Sequence, residues 1–288
     1  MNAYVKFSLA MAIFGSIGLF SVKAGLPAIE LVFVRCLCAS LMLGAVILLT
    51  NRKGRKERPP RSEYGKVLLC GLFLVLNWLF FFRSFEVMPI TVAVSIYHLA
   101  PLLILLLGSL WFKEKLTWAG IASIVICFAG ALLVGKAYSH GHVSDFLQTG
   151  IGWAFAAAFF YALTSLAGKS ITVLSPTKTT LIQTMLGVLL LAPLVDWPLF
   201  SGLSAENWLF ILITGFIHTG VVFYFFFSSL RELPASTIAI LVFIDPIVAI
   251  LLDVAILHYH PDIPQLVGIL LIFLAMGYRP KKYEQKKA

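Results

Sequence analysis

A chain of 288 residues that is 60% hydrophobic and only 12% charged, with a mean hydropathy of +0.96, lacks the polar surface to cover a water-soluble globule of its size. Its formal charge of +9 would suggest nucleic acid in a soluble protein. Here nearly all the cations, Arg35 apart, sit in the connections between apolar runs or at the ends of the runs, which argues against nucleic acid as a partner and for a lipid bilayer.

Apolar runs long enough to cross a hydrocarbon core of roughly 30 Å as helices fall at 5–23, 29–50, 65–83, 90–112, 116–135, 149–170, 178–196, 207–228, 235–257 and 264–280. Backbone in lipid must pair internally, and continuous rather than alternating runs exclude a barrel. The predicted fold is therefore an all-α integral membrane protein with ten transmembrane helices.

Taken in chain order, the first run follows Lys6, but no small-x-small cleavage site comes after it, so it is expected to be a span rather than a leader. The second carries Arg35, roughly 8–9 Å deep, placed either to snorkel to the outer headgroups or to hold a substrate carboxylate bidentately. The basic stretch 51–61 reads as a solvated cytoplasmic loop near anionic lipid. The third run brings Asn77 and Trp78, the fourth Tyr97, His98 and Pro101, the sixth Tyr161, and the eighth His218 and Tyr224. The ninth holds Asp245 and Pro246 and ends near Asp253, His258 and His260, which read as an interfacial loop. Cys36, Cys38, Cys70 and Cys127 all lie inside apolar runs, where a thiol behaves as a small hydrophobe. No metal site or cofactor is expected.

The stretch 80–101 (FFFRSFEVMPITVAVSIYHLAP) returns 145 positions later as 225–246 (FFFSSLRELPASTIAILVFIDP), with the triple Phe, one Ser and both prolines in register. Five spans per half is an odd number, so the second half crosses the membrane in the opposite sense. The expected organisation is a first repeat at 1–138, an inverted repeat at 146–280 and a basic tail at 281–288. Nearly all the cations, from Lys6 through the 51–61 stretch, Lys113, Lys115, Lys169, Lys178 and Arg231 to the tail, fall on one side, against Lys23, Arg83 and Lys136 on the other. By the positive-inside rule both termini are cytoplasmic, and the expected location is the inner (plasma) membrane.

Ionisable groups in lipid are costly, at roughly 2.5–3.5 kcal/mol each on insertion scales, and mark functional positions by default. At about 1.5 Å per residue, His98 lies roughly 14 Å below Pro89 and Asp245 roughly 16 Å above Pro234, and Asn77, Tyr161 and His218 arrive at a similar depth. Pro101 and Pro246 lack an N–H, so the carbonyls of Tyr97 and Val242 are expected to be freed beside a kink. Such a level suits a mid-membrane substrate site, lined by Arg35, Asn77, Trp78, Tyr97, His98, Tyr161, His218, Tyr224 and Asp245. Asp245 and His98 are the candidates for coupling transport to protons.

The layout of five plus five spans, and the passage 99–134 with Pro101, then Glu114 in FKEKLT, then Gly120 and Gly130, resembles the EamA-type branch of the drug/metabolite transporter superfamily. Pro246, Gly268 and Gly277 give a shorter echo in the second half. One departure is that Tyr259, with Asp262 as the nearest acid, stands where the second repeat would carry its own Glu. The resemblance implies export of small metabolites, such as amino acids, or of drugs by alternating access through a central cavity; the chain is expected not to be an enzyme, and to be a monomer or homodimer. Two other classes remain. A membrane-embedded enzyme lacks any HExxH, nucleophile elbow or phosphate-cradling loop in this sequence, and a haem-binding redox protein would rest on His98 and His218.

Overall fold

The computed structural model describes residues 2–50, 59–112, 118–136, 150–168, 170–222, 225–226, 229, 233 and 241–277. Tyr224, Glu114, the 51–58 stretch and the 281–288 tail lie outside the described residues. Among those described, the chain is all helix, in the order α1 (Ala3–Ala24), α2 (Ala28–Thr50), α3 (Arg61–Val87), α4 (Ile90–Tyr97), α5 (Ala100–Phe112), α6 (Trp118–Val134), α7 (Gly152–Gly168), α8 (Pro176–Leu191), α9 (Ala205–Leu212), a π-helical segment (Ile213–Val221), α10 (Ile244–Ile256) and α11 (Ile263–Met276). Five stretches are long and apolar enough to cross a membrane, namely Ala3–Ala24, Ala28–Leu49, Arg61–Val87, Ile90–Gly108 and Thr177–Leu194.

Large apolar side chains cover much of the outside, while an interior that is itself mostly apolar also takes in polar groups. Leu48, Ile263, Leu189 and Leu110 are more than two-thirds exposed, whereas Arg35, Asn77, Thr184 and His218 are almost wholly buried. Apolar surface turned outward and polar side chains turned inward is the arrangement that lipid, not water, stabilises.

Local signals set the helix ends. Asn2 caps α1 through Tyr4 N–H, and Gly25 closes it in the left-handed region at φ 67°, donating its N–H to Val22 O. Ser204 with Asn207 and Asp262 with Gln265 form capping boxes that start α9 and α11. The start of α4 is capped from another helix, with Asp253 Oδ2 accepting Thr91 N–H at 2.7 Å.

The predicted fourth span is interrupted. Its helix breaks at His98–Leu99, just before Pro101, and the ninth has the same turn at Val242–Phe243 before Pro246. The expected free carbonyl at Val242 is not found, because tightening of this turn lets Val242 O accept the Asp245 N–H at 3.3 Å.

Contacts fix the relative direction of the helices. Lys66, Cys70, Asn77 and Phe80 of α3 meet Ser170, Thr164, Ala157 and Trp153 in turn, so α3 and α7 are antiparallel. Glu30, Cys36 and Ser40 of α2 meet Asp196, Gly187 and Thr184, so α2 and the α8 segment are antiparallel as well. In α6 and α11, Val134 O accepts from Gln265 Nε2, Gly130 meets Gly268, and Lys136 pairs with Asp262 at 2.9 Å. One face of the molecule therefore gathers the α1–α2 link, the α3–α4 link, the end of α6, the start of α7 at Gly150 and the start of α9. Glu86 there accepts Ala28 N–H, Gly150 abuts Val87 and Met88, and Asn207 donates to Lys23 O at 3.1 Å. Thus α1 leaves at the face where α7 begins.

The opposite face is fastened at the start of α3. Glu63 Oε1 accepts the N–H groups of Thr172 and Val173, each at 2.7 Å, and Lys66 Nζ donates to Ser170 O, which ties α3 to the α7–α8 link. The counterpart at the first face is the start of α9, where Asn207 and, at 4.0 Å, Glu206 hold Lys23 in the last turn of α1.

Candidate functional site

Of the candidate side chains, Arg35, Asn77, Trp78, His98 and His218 are buried between helices, Tyr97 and Asp245 are half-buried, and Tyr161 is 40% exposed. Asn77 on α3 faces α7, where its Nδ2 donates to Ala157 O at 2.7 Å and reaches Tyr97 Oη at 3.3 Å. That bond ties α3 and α7 to the end of α4. The Tyr97 ring stacks on Phe81 with centroids 4.1 Å apart and meets Tyr161 edge-on at 5.6 Å. Asn77, Tyr97 and Tyr161 are thus brought together. Asp245 lies in the first turn of α10.

Arg35 does not snorkel. Only 2% exposed, it lies between α2, α3 and the π-helical segment, with Nε donating to Thr219 Oγ1 at 3.3 Å and its guanidinium 4.8 Å from the Trp78 ring and 4.7 Å from the Phe82 ring. Cation–π attraction by two rings replaces the headgroup that snorkelling would have supplied. Trp78, placed by sequence as a cavity liner, acts as one wall for this cation.

The two histidines have separate settings. His98 Nδ1 donates to Val94 O of its own helix at 2.7 Å, which fixes its tautomer. His218 packs on Phe20, with its Nε2 2.9 Å from Ser16 Oγ and its Nδ1 3.4 Å from Ile213 O. Pro101 and Pro246 both lie immediately after helix breaks.

Sequence reasoning missed Ser16, Thr214 and Thr219. The last two lie on the π-helical segment, whose wider register leaves Thr219 Oγ1 free to donate to Thr214 O and to accept from Arg35. Gly215 and Gly220 let this segment approach Cys38 and Met42 of α2. The acids near helix ends serve as caps: Glu30 takes Asp196 N–H, Glu86 takes Ala28 N–H, Asp253 takes Thr91 N–H and Asp262 takes Gln265 N–H. Tyr259 donates to Gln265 Oε1 at 2.8 Å. A cleft of about 440 Å³ opens at the face carrying the α1–α2 link, lined by Ser21, Leu31, Phe82, Phe85 and Glu86 among others.

Residues 1–136 and 148–277 match the EamA-like transporter family. The uncharacterized transporter YxxF of Bacillus subtilis (strain 168) is 47% identical over 276 residues, covering 96% of this chain and 88% of that protein. The pseudopaline exporter CntI of Pseudomonas aeruginosa (strain UCBPP-PA14) is 26% identical over 148 residues, or 51% of this chain and 50% of that one. A solved crystal structure at 21% identity superposes with a TM-score of 0.64 over 95% of this chain and 94% of the other, which shows a shared fold.

Proposed function

Because this chain belongs to the EamA-like transporter family, we propose that it exports a small polar metabolite, with amino acids and their relatives as the leading class, by alternating access through the central polar region. Family and relatives point to a membrane transporter rather than an enzyme. The observation that carries the reading of the site is the placing of Tyr97, hydrogen-bonded to Asn77, stacked on Phe81 and edge-on to Tyr161.

Two inverted halves, at 1–138 and 146–280, are supported by the opposed directions of α1 and α7 and by the way the helix pairs answer one another. The packing of α3 on α7 has its counterpart in α9 on α1, α3 on α8 in the π-helical segment on α2, and α4 on α7 in α10 on α1. The pairs α2 with α8 and α6 with α11 each answer themselves. Copies of opposite orientation supply two near-equivalent packings, one open to each side. Ten spans, location in the inner membrane, cytoplasmic termini and a monomer or homodimer complete the reading.

Asp245 is preferred to His98 as the coupling group, because the His98 ring is committed to Val94 O. Asp245→Asn keeps the volume but cannot ionise, so the variant is expected to insert and express normally and to lose transport of labelled amino acids in proteoliposomes. Normal transport with unchanged dependence on pH and on substrate charge would move the site to His98, His218 and Tyr161.

A further inference from the structure

A guanidinium buried among apolar helices ordinarily has an acid beside it, since an unpaired internal charge is strongly destabilising. Arg35 has none among the described residues. The ion pairs there join Lys23 to Glu206, Lys66 to Glu63, Arg83 to Glu86 and Lys136 to Asp262. Glu30, on the same helix, is occupied by Asp196 N–H, and Asp245 forms no ion pair with Arg35. The hydrogen bonding of Arg35 reduces to one bond from Nε to Thr219, and Nη1 is buried with no hydrogen-bond partner. Trp78 and Phe82 hold the cation and fix its plane, but neither can neutralise it or accept from Nη1 in that plane.

Held in plane by two rings, fixed at Nε by a hydroxyl and left with an unpaired donor, this guanidinium is preorganised for an oxyanion. We propose that Arg35 is the anion-binding subsite of the transport site and takes a carboxylate of the solute on its Nη1 edge. The inference rests on the transporter reading and narrows it to carboxylate-bearing solutes. A simple organic cation would meet the Arg35 charge with no anionic group of its own to offset it. Access is provided by the cleft between α1, α2 and α3, because its lining includes Phe82, one of the Arg35 rings, and Leu31, one helical turn before Arg35 on α2.

The test compares matched probes on the purified full chain in detergent: leucine, methionine, threonine and glutamate, each against its methyl ester and its decarboxylated amine at about 10 mM, read by thermal unfolding. At least one acid is expected to raise the melting temperature while its ester and amine do not. Arg35→Gln should remove that difference, weakening binding of the acid by roughly 10- to 100-fold, without lowering the melting temperature of the ligand-free protein, since an unpaired buried charge is removed. Thr219→Val, which frees Nε but keeps the charge, should weaken the preference for the acid without abolishing it, and carries the test if the Gln variant does not fold. Equal stabilisation by acid and ester, a preference for the acid that survives Arg35→Gln or is untouched by Thr219→Val, or no response to any of the carboxylates would overturn the proposal. Transport of amine or ester by the wild type with no preference for the acid would remove the subsite while leaving the transporter reading standing.

Discussion

At the scale of single residues, the polar groups legible in the sequence were those whose presence in lipid needs a reason: Arg35, Asn77, Tyr97 and Asp245 stand out against apolar neighbours. Ser16, Thr214 and Thr219 were not legible, because hydroxyls in apolar helices usually bond their own backbone, as Ser95, Ser123 and Thr164 do here. The reach of Arg35 was misjudged for another physical reason. Helical rise gives a depth but not which faces carry aromatic rings, and Trp78 and Phe82 hold inward a cation that could otherwise have extended to headgroups. Tyr97 allows a clean test. Tyr97→Phe keeps the stack on Phe81 and loses the bond to Asn77, which at 3.3 Å is long. The cost in stability should therefore lie at the low end of about 0.5–1.5 kcal/mol, while transport falls severalfold. A denaturation midpoint in mixed micelles measured beside the transport rate checks this, and a loss of both in proportion would make Tyr97 a packing residue.

At the scale of elements, Pro101 and Pro246 signalled the two helix breaks correctly because proline removes a backbone donor wherever it stands. Nothing comparable signalled the π-helical segment, which contains no proline and whose register depends on Gly215 and Gly220 meeting α2, a tertiary contact. Tight glycine contacts also set the seam between α6 and α11. A Cβ on Gly130 would stand 2.7 Å from Gly268 O, and one on Gly268 would stand 2.6 Å from Gly130 O, so neither helix can yield without parting from the other. Gly130→Leu is expected to destabilise the protein by about 1–3 kcal/mol through overpacking. Gly44→Ala, with nothing within 4 Å, should instead gain the helix preference of alanine, about 0.5–1 kcal/mol. Melting temperatures of the two variants should move in opposite directions, and a shared direction would mean that the α6–α11 seam is not tightly packed.

For the whole molecule, hydropathy carried the positions of the helices, and the match between 80–101 and 225–246 carried the idea of two halves. Which helices touch was beyond reach, since every run offers an apolar surface and lipid does not discriminate among them. Orientation rests on charge and can be checked with exposed residues at the two faces. Ser201→Cys should react with a membrane-impermeant maleimide in intact cells and Ser62→Cys only after permeabilisation, the native cysteines being buried. Labelling in the reverse order would turn the molecule over. The fastenings at the two faces are unequal in kind. A carboxylate grips two backbone N–H groups at the start of α3, whereas a neutral amide and a loose, exposed ion pair serve at the start of α9. The face of the α1–α2 link also carries the carboxylate bonds of Glu86, Glu30 and Asp253 to Ala28, Asp196 and Thr91, so on the proposed alternating-access reading each door opens only as its own set of clasps parts, and the tally of clasps among the described residues sets which door an empty carrier keeps shut.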